Sequence, residues 1–420
     1  MRSRERTATD RVALAAMPRT KPLRAASFVL AIGVSLLLVL SAPFVGQIRA
    51  DIRRAFPGQF VPIVGGIIAL GLLAALGAAI RQIRDRRALR YGGIVLSIVV
   101  AGGYAAFNAG ENSESNVVEL FHFLQYGFIS FLFYRAWRPL GDLSVVFLPL
   151  LAALIVGTAE EWLQWFIPNR VGEMKDVFLN LAAIGTGLLF SVAVRPPERW
   201  AWSLKNESRP RLARLTAVTI VSFAAFVHIV HLGHFVQDDE VGTFDSRWTG
   251  PDLLEMQALK QQQWTVTPPP VKLVRLSRED QYLTEGIQHV RQRNELWDNG
   301  EFRASWLENR ILEKYFEPVL DTPTHEGSGH RWSAEHRADA ESRAGSQPAT
   351  EPHISGAYPY RLYKWSRPLF WIVVGFVTGA VLLMSRLGRP ARPLRDASSS
   401  GGQAQGVAKN MSLRPPRPRR

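Results

Sequence analysis

Cysteine is absent from this chain of 420 residues. Disulfides, thiolate nucleophiles and Cys-ligated metals are excluded with it. Lysine is scarce, with 8 residues against 42 arginines. The chain also lacks the His-Glu-x-x-His pairing of zinc hydrolases, a phosphate-cradling glycine loop and a serine in a nucleophile-elbow context. Acidic residues number only 36 against 50 basic ones, for a net charge of +14. That excess invites a nucleic-acid reading, but its placement argues against one. Of the 50 Lys and Arg, 29 fall in five segments, 1–24, 81–90, 135–142, 195–214 and 386–420, that separate apolar runs or flank them. The positive-inside rule accounts for such a distribution without a polyanionic partner. The basic tails, the last of which ends Arg414-Pro-Pro-Arg417-Pro-Arg419-Arg420, suit anionic lipid heads instead.

What the chain has in abundance is long apolar runs. Eight are long enough to cross a hydrocarbon core of roughly 30 Å at about 1.5 Å per residue. They cover about 24–44, 60–80, 91–107, 117–134, 143–165, 176–194, 215–233 and 368–385, the third being short and glycine-rich. Basic residues precede the first run, but Pro43 follows Ser41-Ala42 and the leader is long, so we read a retained signal anchor rather than a cleaved peptide. The expected fold is an all-α integral membrane bundle of about eight transmembrane helices. A small, mostly helical extracytoplasmic domain lies between the last two.

The expected organisation is a basic cytoplasmic N-terminus (1–23), N-terminal transmembrane helices (24–94) and a transmembrane core (95–195). A cytoplasmic loop with the seventh span (196–234), the extracytoplasmic domain (235–366), the last span (367–386) and a basic disordered tail (387–420) complete it. Loop charges put both termini in the cytoplasm of a multi-pass inner-membrane protein. The one poor fit is the first outer loop, which holds Arg49, Arg53 and Arg54. Within the extracytoplasmic segment, helices are predicted from Gly250 to Trp264, from Ser277 to Asp298 and from Glu301 to Glu317. Residues 321–357, rich in Gly, Ser, His and charge, read as a mobile loop, and Tyr358 to Trp365 as an interfacial aromatic belt.

Ionisable groups gather in the fourth to sixth spans. Glu119, His122 and Tyr126 are spaced i, i+3, i+7; Glu160 and Glu161 stand four and three residues before Gln164; Asp176 and Asn180 are four apart. Residues so spaced share a helix face. The predicted topology brings all of them to the outer leaflet, where polar groups at a span are costly and point to function. Glu161 and Asp176 suit an acid/base pair, His122 a proton carrier, and Arg170 a clamp for phosphate or carboxylate. Gln164, Asn180, Glu119 and Tyr126 complete a substrate-binding set. Carboxylates with a His also suit a divalent cation, and the competing reading is that the groups pair to hold helices in register. His228, His231 and His234, and His325, His330 and His336, have spacings that admit a metal. Capping and solvation explain them as well, so no metal is assigned, and the residues name no cofactor.

The chain resembles the VanZ-like family of membrane proteins at three segments. These are Glu119-Leu-Phe-His122-Phe-Leu-Gln-Tyr126, Glu160-Glu161-Trp-Leu-Gln164-Trp-Phe-Ile-Pro168-Asn-Arg170, and Asp176-Val-Phe-Leu-Asn180 followed by Gly187. Ala183 stands where the family usually has Gly, and the resemblance covers roughly 95–195. It implies a bacterial cell-envelope protein, in a family whose founding member is linked to resistance to the glycopeptide antibiotic teicoplanin. It implies no particular reaction. Two functions follow as expectations. One is binding or processing of a lipid-linked or phosphate-bearing envelope precursor at the cluster, in contact with membrane lipids. The alternative is a non-enzymatic envelope scaffold or binding protein acting through its extracytoplasmic domain. A transporter is disfavoured because the ionisable groups sit near one face and no inverted repeat is evident.

Overall fold

The computed structural model describes residues 20–165, 167, 172–267, 281–323, 327–346, 352–358 and 361–387. Seven long helices come first: α1 (Thr20–Ala55), α2 (Phe60–Gln82), α3 (Arg87–Asn108), α4 (Ser113–Trp137), α5 (Ser144–Gln164), α6 (Met174–Val194) and α7 (Arg209–Val230). A domain of shorter elements follows, and α13 (Arg367–Leu387) closes the described chain. All eight long helices are apolar enough to cross a membrane, so the chain is a multi-pass helical membrane protein. The tail beyond 387 and residues 1–19 lie outside the described residues.

Two spans depart from the sequence expectation for identifiable reasons. The first continues to Ala55 and carries its arginines with it, so they are not in a loop. Arg53 pairs with Glu114, and Arg49 lies 3.9 Å from the same carboxylate. The third starts at Arg87, earlier than hydropathy suggests. Its buried Arg90 donates through Nε to Ala193 O (2.9 Å) and also to Val194 O, which satisfies carbonyls orphaned at the end of α6.

Helix α4 is the hub. It packs against α6, α5, α1 and α2, while α3 leans on α6, and α7 joins α5 to α13. The buried centre holds Tyr126, Ile129, Leu132, Val145, Ala153 and Ile184. The α4–α6 crossing is closest at Gly127 and Gly187. A Cβ on Gly187 would fall 2.7 Å from Ser130 Oγ and nearer still to Gly127 Cα. Small residues allow this approach, and without a hydrophobic drive between helices in lipid, such packing carries the association.

The extramembrane domain has more structure than expected. It opens with an antiparallel hairpin, β1 (His234–Asp238) and β2 (Gly242–Ser246), turning at Gly242 with φ +95°. Then come α8 (Gly250–Val266), α9 (Gln281–Asp298), α10 (Phe302–Tyr315), α11 (Glu317–Asp321) and α12 (Ala334–Ser346). Thr249 and Asp252 form a capping box at the start of α8. The helix predicted over 301–317 breaks at Phe316, ahead of Pro318. Part of the segment predicted as a mobile loop is the helix α12. Its Arg337 and Arg343 lie over Trp306, Trp297 and Phe302, 4.9 to 5.4 Å from the ring centres. The core gathers Phe244, Leu253, Tyr282, Ile311, Leu312 and Phe316.

One buried acid in this domain makes a pH prediction. Glu285 accepts from Ser246 Oγ (2.7 Å) and Arg247 N (3.0 Å). Burial outweighs those bonds and pushes its pKa up from 4.5 to about 7. A raised acid favours folding while protonated, so its contribution is complete below 4.5 and is lost as pH rises through about 7. Glu285→Gln should therefore flatten the fall in stability between pH 4.5 and about 7, a change of about 3 kcal/mol once the carboxyl is fully ionised. Thermal unfolding of wild type and variant between pH 5 and 8 checks it; parallel curves would reject it.

Candidate functional site

Three helices deliver the polar stripes to one end of the bundle. Helix α4 begins under Asn112, whose side-chain oxygen accepts from Glu114 N (2.9 Å) and Ser115 N (3.3 Å). Glu119, His122 and Tyr126 then follow in its first half. Helix α5 ends at Gln164, so Glu160, Glu161 and Gln164 occupy its last turn. Helix α6 starts at Met174, placing Asp176 in its first turn and Asn180 one turn deeper.

The convergence is close at the inner side. Tyr126, Glu161 and Asn180 are fully buried, and Glu160 and Gln164 nearly so. Tyr126 donates its hydroxyl to Glu160 Oε2. Gln164 Nε2 lies 3.4 Å from Glu160 Oε1 and 3.3 Å from Glu161 Oε1, so one amide bridges two adjacent carboxyls. Gly157 makes room for the meeting. A Cβ there would sit 3.2 Å from Asn180 and 3.3 Å from the Tyr126 ring. Both polar atoms of the Asn180 side chain, and Thr158 Oγ1, are buried without a hydrogen-bond partner among the described residues.

The rim is looser. Glu119 pairs with Lys175 at 3.5 Å. His122 stacks nearly parallel to Tyr126, with centroids 6.2 Å apart, and its Nδ1 lies 2.9 Å from Val118 O. That contact ties one ring nitrogen to the helix backbone. Asp176 is partly buried, and its charge acts on Glu173, whose carboxyl is raised first by burial and then by Asp176. The expected clamp, Arg170, lies outside the described residues.

Sequence reasoning missed one pairing and two residues of this site. The pairing is that of Tyr126 with Glu160, two residues singled out on separate helices. Thr158 had a legible signal, since it precedes Glu161 by three residues and shares its face. Lys175 had none, because its pairing with Glu119 spans two helices.

The extramembrane domain is bolted to the site's outer edge. His231 Nε2 accepts from Met174 N at 3.1 Å, and its Nδ1 donates to Arg361 O at 3.0 Å. Burial lowers the pKa of this ring, although the bond to Arg361 opposes the shift; the neutral form is the one that can accept at Nε2. His228 Nδ1 accepts from Trp371 Nε1 (3.3 Å), and His234 opens β1. His336 packs at a tilt against Trp297 and Trp332. These histidines turn to separate partners, and no group of three metal-ligating side chains occurs among the described residues. His325 lies outside them.

Comparison of the chain with family models, with curated proteins and with solved structures finds no match in any of the three. Fold and site together define a multi-pass helical membrane protein with a buried polar cluster at one end of its bundle.

Proposed function

We propose that the chain is a VanZ-like integral membrane protein of the bacterial cell envelope, set in the inner membrane with both termini in the cytoplasm. In this reading the cluster faces the outer leaflet and engages the head of a lipid-linked, phosphate-bearing envelope component, with a consequence for glycopeptide susceptibility. One observation carries the reading. The Asn180 amide and the Thr158 hydroxyl are buried without a partner among the described residues, in the cluster that holds Tyr126 and two carboxyl side chains. Groups that merely hold helices in register satisfy one another, whereas an unpaired buried polar group costs about 1–3 kcal/mol. A polar ligand entering from the rim offsets that cost. Glu160 and Glu161 suit proton acceptance from its hydroxyl or amine groups, and Lys175 supplies a cation at the entrance.

The test is a lipid and envelope-precursor profile of a deletion strain complemented with wild type, Glu161→Gln or Asp176→Asn, at matched membrane abundance. Each substitution is expected to leave the precursor change unrestored, and the changed species names the ligand. Full restoration by both variants would return the cluster to a packing role. In that event the scaffold reading takes over, and deletion of 240–360 becomes the informative variant.

A further inference from the structure

A second concave site lies away from the cluster, between β1, the start of α8 and the segment that leads into α13. It is an open cleft of about 580 Å³, within the range of small-ligand sites. Its walls include His234, Phe235, Thr249, Leu254, Lys364 and Trp365.

Chain connectivity fixes its depth. Helix α7 ends at Val230, and residues 231–233 are stitched to Tyr363 by Tyr363 N to His231 O (2.7 Å) and Gly233 N to Tyr363 O (3.3 Å). On the other wall, Lys364 and Trp365 stand three and two residues before Arg367, where α13 begins. At about 3.5 Å per residue, three residues from either span end reach about 10 Å. That ceiling holds the near walls within or just beyond the headgroup layer, which adds about 5–8 Å on each side of the hydrocarbon core. This holds whichever side of the membrane the domain occupies.

The chemistry of the walls is two-sided. Phe235, Leu254 and Trp365 are large apolar side chains left 37%, 46% and 50% exposed. Among them, Lys364 Nζ stands 3.7 Å from the centre of the Phe235 ring. Arg367 follows, bonded to Arg247 O at 3.2 Å and close enough for its charge to act on His234. Two acids are nearby, and their charges act on these cations, Asp245 on Lys364 and Asp252 on Arg367, although neither forms an ion pair with them among the described residues. Asp252 is turned back onto Thr249 N as the α8 cap, and Asp245 is half-buried across the hairpin from Phe235. Cations above exposed apolar side chains, in a concave site at headgroup depth, match a molecule with a phosphate at one end and acyl chains at the other.

We propose that this cleft is a binding site for the headgroup of an anionic phospholipid, with Lys364 on the phosphate and Phe235, Leu254 and Trp365 against the glycerol and upper acyl carbons. It differs from the general aromatic belt in being a saturable site with fixed walls. It is independent of the polar cluster and of the function proposed for it.

The natural absence of cysteine makes the test direct. Gln237→Cys places a bimane label in the cleft, and Met384→Cys places one on the lipid-facing far end of α13 as a control. The purified full-length chain in neutral detergent is titrated with brominated phosphatidylglycerol or brominated phosphatidylcholine. Quenching at position 237 should saturate at a phosphatidylglycerol concentration about five-fold lower than that of phosphatidylcholine, the effect of one cation at a membrane surface. Position 384 should not discriminate. Lys364→Gln should remove the discrimination and Lys364→Arg should keep it. Equal quenching by the two lipids at position 237 overturns the proposal, as does equal discrimination at both labels. Displacement of the lipid by inorganic phosphate at equal headgroup concentration also overturns it, because the ligand would then be the free ion.

Discussion

Glu308→Ala is expected to destabilise the extramembrane domain by about 3–5 kcal/mol, the cost of breaking a buried pair and stranding its partners. Glu308 is fully buried on α10 and accepts from two rings, His289 Nδ1 at 2.7 Å and His353 Nε2 at 3.1 Å. His289 belongs to α9, and His353 to the strand-like segment that hydrogen-bonds to β2 through Thr243 N to His353 O (2.8 Å). One carboxylate thus ties two helices to the hairpin. Burial alone would raise its pKa. The His289 imidazole, with the bonds from His353 and Ser355, instead holds it at about 2. An acid with a depressed pKa stabilises the fold above its ordinary value of 4.5, and that stabilisation drains away as pH falls toward 2. The shift is equivalent to about 3 kcal/mol. Wild type should lose domain stability on acidification from pH 5 to 3, and Glu308→Ala should already be unstable at pH 6. Proteolysis within 234–357, read by mass spectrometry against the intact bundle, measures both. Equal resistance of variant and wild type at pH 6 would show that the triad is incidental.

The spans were legible in the sequence because hydropathy is a local property and each run exceeds a membrane thickness. The exceptions are where a distant partner changes the cost of a charge. The third span extends back past Arg90 to Arg87, with two carbonyls of α6 taking the Arg90 guanidinium, and Arg53 remains helical against Glu114. The stripes at Tyr126, Glu160, Gln164 and Asn180 were likewise legible, since helical spacing alone groups them. Which carboxyl meets Tyr126 was not. Adjacent residues differ by about 100° around a helix, and the rotation of α5 is set by the space Gly157 leaves for Asn180 and Tyr126. In the extramembrane domain, α12 escaped notice because its stability comes from arginines on aromatic rings of α9 and α10, not from an apolar face. The histidine triplet at 228–234 had the spacing of a ligand set, yet only tertiary structure reveals that His231 joins α6 to the segment before α13.

Gly187→Ala should cost about 1–3 kcal/mol of bundle stability, while Gly127→Ala across the same contact should stay within about 0.5 kcal/mol of wild type. The two glycines face each other, but their missing Cβ atoms do not occupy equivalent places. A Cβ on Gly127 would meet Gly187 Cα at 3.7 Å, an ordinary contact. A Cβ on Gly187 would collide with Gly127 Cα, lie 3.0 Å from Gly127 O and lie 2.7 Å from Ser130 Oγ. The serine can rotate, but the backbone of α4 cannot give without moving the whole helix. Helix propensity favours Ala over Gly by about 0.8–1.0 kcal/mol at both positions, so it cannot produce the difference between them. The separation reaches the site through one residue, because Tyr126 adjoins Gly127 and its hydroxyl bonds to Glu160. Moving α4 away from α6 therefore withdraws Tyr126 from the cluster. Thermal aggregation midpoints in detergent separate the two variants, and complementation at matched abundance reads the effect on the site. Similar losses in both variants would mean that the crossing tolerates neither added methyl and that close approach at Gly187 is not the controlling contact. A loss confined to Gly187→Ala, with function lost alongside stability, ties the geometry of the cluster to the Gly127–Gly187 approach within the α4–α6 contact.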